Sequence, residues 1–241
     1  MMRGGAAIAV LAMAGGLATT PRAPATPTGC QRHGPAVVRH GARMRHVVAL
    51  TFDDGPWPDT PQFVRALEAA HVHATFFLVG RLVPGHSALL RRELTDGDAL
   101  GNHTFSHADL VRAGGARPQL MLTSAAIERS SSYRPCLFRP PYGSYDGAVV
   151  GIAAAQRLTT VLWDVDPRDW SRPGTAAIVA RVLAGVHDGS IVLMHDGGGP
   201  RQQTLQALPR IIAALRRRGF AFATVPELLG YPKVGFPTHL G

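Results

Sequence analysis

The chain has 241 residues, 46% of them hydrophobic and only 17% charged, which supplies one substantial core, leaves little room for a second, and rules against a disordered protein. The formal net charge of +9 rests on arginine, with Lys233 the single lysine. No basic run carries interleaved aromatics, which argues against a nucleic-acid module.

Read in chain order, residues 1–18 open with a cationic Met1-Met2-Arg3, continue through a short apolar stretch and end on small residues at Gly16 and Ala18. This is the pattern of a signal peptide, too short and glycine-rich to span a membrane. Cys30 has Pro27 three positions before it rather than an aliphatic residue, so no lipid anchor and no stable membrane anchor is expected. Residues 19–44, rich in Pro, Thr and Gly, read as a linker. Residues 45–230 then form the predicted domain, with 231–241 a tail. Strands are expected at 47–52, 74–79, 98–102, 136–139, 159–163, 190–194 and 220–225. Helical patterns lie between them. Thr60 with Pro61 reads as an N-cap followed by the first helical residue, and Leu205, Leu208, Ile212 and Leu215 form one stripe over 204–218, where Pro209 marks a first turn or a kink. Arg216, Arg217 and Arg218 suit the negative end of that helix. This alternation predicts a parallel α/β fold, either an open doubly wound sheet or a distorted barrel. Cys30 and Cys136 could pair after export, or remain an unpaired and a buried thiol.

Five clusters of chemically capable residues sit at strand ends: Asp53 with Asp54, His103 with His107, Arg139, Asp166 with Asp169, and His195 with Asp196. In a β/α barrel the loops after the strands share one face and build the active site there. His103 and His107, four residues apart, would face one side of a helical turn, and two imidazoles plus a carboxylate suit zinc with a position left open. Taken singly, each cluster is equally a turn, an ion pair or a structural histidine. Together on one face, they favour a catalytic site.

The strings TFDDGP (51–56), HTFSH (103–107), RPPYG (139–143), DPRDW (166–170) and LMH (193–195) resemble, in order, the five motifs of polysaccharide deacetylases, carbohydrate esterase family four, also called the NodB homology domain. The resemblance covers residues 46–230 and implies a single-domain distorted (β/α)7 barrel. It implies that Asp54, His103 and His107 hold a divalent metal, Zn2+ or alternatively Co2+. It further implies Asp53 as general base, Arg139 as its partner, Tyr142 as a backbone donor to the oxyanion, His195 as general acid and Asp169 as its orienting carboxylate. Trp170 and Leu193 would receive the acetyl methyl, and Trp57 is a candidate sugar contact. The implied activity is removal of N-acetyl groups from a GlcNAc-containing polymer, peptidoglycan or chitin oligomers, by a secreted or wall-associated enzyme. An acetylxylan esterase with the same site and an inactive carbohydrate-binding barrel are the alternatives.

Overall fold

The structure is a computed structural model and describes residues 1–2, 28–43 and 46–234. The signal peptide expected over 1–18 lies, beyond its first two residues, outside the described residues. Two short strands come first, β1 (Thr28–Cys30) and β2 (Val37–Val38), followed by β3 (Val47–Asp53), α1 (Thr60–Ala69), β4 (Thr75–Leu78), α2 (Ser87–Thr95) and β5 (Ala99–Asn102). Helices α3 (Leu110–Ala113) and α4 (Ala116–Ser131) lead to β6 (Tyr133–Arg134), β7 (Leu137–Phe138), α5 (Gly147–Ala155) and β8 (Thr159–Val161). The chain closes with α6 (Thr175–Gly185), β9 (Ile191–His195), α7 (Gln202–Arg217), β10 (Ala221–Phe222), α8 (Val225–Leu228) and β11 (Lys233–Val234).

The expected distorted (β/α)7 barrel is borne out as a curled parallel half-barrel, since each of the seven strand candidates carries a strand. The order runs β10-β3-β4-β5-β7-β8-β2, and β9 lies along β3 from Ala49 to Asp53 while β10 takes only Val47 and Val48. A bridge from Val165 to Val192 draws the segment after β8 onto β9, which curls the sheet. Strands covered on both faces are apolar throughout: Val48 to Leu50, Phe52, Phe76 to Leu78 and Leu100 are fully buried. Among the described residues no helix is long and apolar enough to cross a membrane.

Four expectations require correction. Residues 28–43, read as linker, carry β1 and β2, with β2 pairing with β8 and Cys30 joined to Cys136 in a disulfide. Residues 233–234, read as tail, pair antiparallel with β1, and Tyr231 is buried. Strands of two or three residues have no readable period; partners distant in sequence hold them in place. Thr60 is the first helical residue rather than a cap. Its hydroxyl donates to Asp196, and Asp59 occupies the N-cap position. Pro209 lies well inside α7, which begins at Gln202, so of its two readings the first-turn one is overturned.

Candidate active site

Four of the five predicted clusters begin at or directly after the carboxyl end of a strand, while Asp166 and Asp169 follow the Val165 bridge to β9, and strand register fixes which side chains meet. Asp53 ends β3 directly opposite His195, which ends β9. Asn102 ends β5 opposite Phe138, so His103 and Arg139 follow side by side. The His103 Nδ1–H donates to the Arg139 carbonyl at 2.7 Å, leaving Nε2 facing the acids. His103 Nε2 lies 3.5 Å, and His107 Nε2 3.0 Å, from Asp54 Oδ1. One ligand atom from each of the three residues falls within 4.8 Å of the others. The histidines are not on a helical turn, as their spacing suggested. The segment is an irregular loop with Thr104 and His107 in left-handed conformation, pinned by Gln119 Oε1, which accepts from the backbone N–H groups of Phe105 and Ser106.

Asp54 Oδ1 is buried and accepts no well-formed hydrogen bond among the described residues, although two ring nitrogens face it. A carboxylate oxygen and two imidazole nitrogens converging in this way are the donor set a divalent cation takes. Burial raises the Asp54 pKa, but the two imidazoles outweigh it and hold the carboxyl well below the usual range. For His103 burial is again the opposing effect, overcome by the charge of Asp53 and by Asp54.

Behind the pocket, Arg139 is completely buried. Its Nη1 donates at 2.7 Å both to Asp53 Oδ1 and to Thr51 Oγ1, and Nε and Nη2 reach the carbonyls of Val161 and Leu162. The Phe77 ring lies 4.1 Å from its guanidinium carbon. Five donors fanned in one plane allow a single side chain to make all these contacts, which a lysine could not. On the opposite wall, Asp169 Oδ1 takes the His195 Nδ1–H at 2.8 Å, while Oδ2 takes the His195 backbone N–H at 2.9 Å and the Thr204 hydroxyl at 2.8 Å. Burial pulls the His195 pKa down, but Asp169 more than reverses it, so the ring is cationic above its ordinary range.

A pocket of about 420 Å³ lies between these groups. Asp53, Asp54, His103, His107, Tyr142, Trp170, Leu193 and His195 line it, with Asp166 and Trp163 beside them. Arg139 and Asp169 act from behind. Trp57 is half-buried in the turn before α1 and does not line the pocket. Tyr142 is 73% and Trp170 46% exposed, so both present aromatic faces at the mouth, while Leu193 is buried. Sequence reasoning missed Thr51 and Thr204. Thr51 was accessible through strand periodicity, being two residues before Asp53 on the same face; Thr204 reaches Asp169 from a helix 35 residues away and left no local signal.

The family model for polysaccharide deacetylase matches residues 40–161. A chitooligosaccharide deacetylase of Bradyrhizobium sp. is 41% identical over 196 residues, 75% of this chain and 90% of that protein. A peptidoglycan-N-acetylglucosamine deacetylase of Bacillus cereus is 40% identical over 191 residues, covering 77% and 89%. A crystal structure of a peptidoglycan N-acetylglucosamine deacetylase superposes with a TM-score of 0.78 at 34% identity, covering 81% of this chain and 93% of that one. A CE4 family pseudoenzyme from Bacillus anthracis superposes at 0.74 and 31% identity, covering 81% and 69%. On these matches the chain belongs to the polysaccharide deacetylase family and is a hydrolase of that class.

Proposed function

We propose that the protein is a metal-dependent deacetylase that removes N-acetyl groups from GlcNAc-containing glycans, peptidoglycan or chitin oligomers, and releases acetate. The observation carrying this reading is that Asp54, His103 and His107 converge on one pocket flanked by the Asp53–Arg139 and His195–Asp169 pairs. Asp54, His103 and His107 would hold Zn2+, with Co2+ as an alternative; when bound, the metal polarises the amide carbonyl and makes water more acidic. Asp53, held by Arg139, takes the proton from the attacking water. The Tyr142 backbone N–H donates to the oxyanion. His195, oriented by Asp169, gives its proton to the departing amine. Trp170 and Leu193, which both line the pocket, would receive the acetyl methyl. Tyr142 and Trp170 offer stacking faces for a chain lying along the mouth.

Two of the similar proteins are named for chitooligosaccharide and peptidoglycan, which supports the substrate class. Release of O-acetyl groups from xylan is the second reading, favoured by a TM-score of 0.70 to the CE4 domain of a multidomain xylanase at 33% identity. The presence of Asp53, Asp54, His103, His107 and His195 together speaks against an inactive barrel. Export to the cell wall is part of the proposal. It rests on residues 1–18 and on the Cys30–Cys136 disulfide, which suits an oxidising compartment. Secreted protein should begin near Thr19 or later, and an intact Met1 terminus in cytosolic protein would overturn export.

The deciding assay is acetate release from chitooligosaccharides, peptidoglycan and acetylxylan, with and without chelator. Activity should rise with GlcNAc oligomer length, nearly vanish on free GlcNAc, stop on chelation and return with zinc or cobalt. Full activity in metal-free protein would refute the metal reading. Faster release from xylan at matched acetyl concentration would assign the protein to the esterase reading.

A further inference from the structure

The loop leaving β9 is packed against Asp54 with no space for side chains. A Cβ on Gly197 would run into the Asp54 carbonyl, and one on Gly198 would lie 2.5 Å from Asp54 Oδ2. Asp54 itself sits at φ 77°, a conformation a non-glycine residue keeps only under restraint from its surroundings. The loop thus forms one wall of the Asp54 seat, and its own position depends on what holds it.

Arg201 ends this loop and is 7% exposed. Its Nε donates to the Gly197 carbonyl at 2.6 Å and its Nη1 to the Trp170 carbonyl at 3.4 Å. Its backbone N–H donates to Asp59 Oδ2 at 3.2 Å. Among the described residues its guanidinium makes no ion pair, an unusual state for a buried cation, since burying a charge without a counterion is costly. Both carbonyls it satisfies belong to the site. Gly197 backs Asp54, and Trp170 follows Asp169, which orients His195.

We propose that Arg201 is a positioning residue of the deacetylation reaction. One planar guanidinium binds the glycine loop and the Asp169–Ser171 turn together, and so fixes the Asp54 carboxylate relative to the His195–Asp169 pair and the Trp170 wall. This rests on the reading of Asp54 as a metal ligand and Trp170 as the acetyl wall given above. Lysine cannot substitute, because a single ammonium on a flexible stem cannot hold two carbonyls on two loops in fixed geometry.

The test compares wild type, Arg201→Lys, Arg201→Gln and Ile127→Val, a change in the buried face of α4 away from the pocket. Melting temperature, Zn2+ affinity of the metal-free protein by competition with a chelating dye, and kcat and KM on a chitooligosaccharide are measured for each. Arg201→Lys should bind Zn2+ about tenfold more weakly. It should also lose about ten- to a hundredfold in kcat per folded molecule, the scale set by a displacement of about 1 Å in catalytic groups. Ile127→Val should lower the melting temperature and move neither quantity. Should the lysine variant not fold, the glutamine variant, which removes the buried charge and keeps one donor group, decides on the same criteria. Unchanged Zn2+ affinity or unchanged kcat in a folded variant overturns the proposal and leaves Arg201 a structural residue. Wild type that binds no Zn2+ would instead refute the metal reading itself, a separate failure.

Discussion

Asp169→Asn tests the proposed acid most directly. Asp169 accepts three hydrogen bonds: from the His195 ring, the His195 backbone and the Thr204 hydroxyl. Asparagine keeps one acceptor oxygen and replaces the other with an NH2 group. Turned toward the ring, that NH2 favours a neutral imidazole with its proton on Nε2; turned the other way, it opposes the His195 backbone N–H. Both arrangements remove the negative charge that raises the His195 pKa above its ordinary 6.5, while the burial that lowers it remains. A charge-assisted hydrogen bond of this kind contributes about 1.5–3 kcal/mol, and about 1.4 kcal/mol corresponds to one pKa unit. The His195 pKa should therefore fall in the variant. The acid must be protonated to act, so activity disappears as pH rises through this pKa. The alkaline limb of kcat/KM should move to lower pH, with about ten- to a hundredfold less activity on the amide at pH 7.5. An aryl acetate, whose leaving group needs no proton, should lose far less. An alkaline limb that stays in place, or equal losses on both substrates, would refute the acid role.

Asp53→Asn should retain Zn2+ yet lose at least about a hundredfold in turnover, because an amide cannot take the proton from water; parallel loss of metal binding in a dye-competition titration would count against the assignment. Glu93 is fully buried, neither carboxylate oxygen has a hydrogen-bond partner among the described residues, and burial followed by repulsion from Asp98 raises its pKa well above the ordinary 4.5. A raised folded-state pKa contributes stability that is complete below the unfolded value and is lost as pH climbs. Glu93→Gln should therefore melt increasingly above wild type from about pH 5 to pH 8, and a difference that is flat with pH would refute this. Cys30→Ser opens a link between residues 106 apart and should cost about 4–5 kcal/mol on the chain-entropy model, read as a lower denaturation midpoint.

Backbone strain gathers around the pocket. Asp54, Thr104, His107, Tyr142, Arg168 and Arg172 all have positive φ without being glycine. Each position of this kind costs about 1–3 kcal/mol and persists only where surrounding contacts enforce it. The enforcing contacts are visible here: the glycine loop against Asp54, Gln119 beneath the histidine loop, and the Asp166 carboxylate taking the Arg168 N–H. Rigid placement of side chains on strained turns is what preorganised catalysis requires.

The sequence by itself determined the seven barrel strands and the groups placed at their ends, because both depend on local pattern: apolar runs, then Asp53-Asp54, His103 and His107, Arg139, Asp169 and His195. It could not determine the short strands at Thr28–Cys30, Val37–Val38 and Lys233–Val234, nor which of two fates awaited Cys30 and Cys136, since those depend on partners distant along the chain. Tertiary structure alone decided that Thr51 shares Arg139 with Asp53, that Thr204 holds Asp169, and that Arg201 joins two loops. It also placed Trp57 outside the pocket and gave the histidine segment an irregular loop in place of a helical turn. The physical reason is common to all of these. A hydrogen bond between elements depends on the curl of the sheet and the register of β3 against β9, and neither quantity is written in any local run of residues.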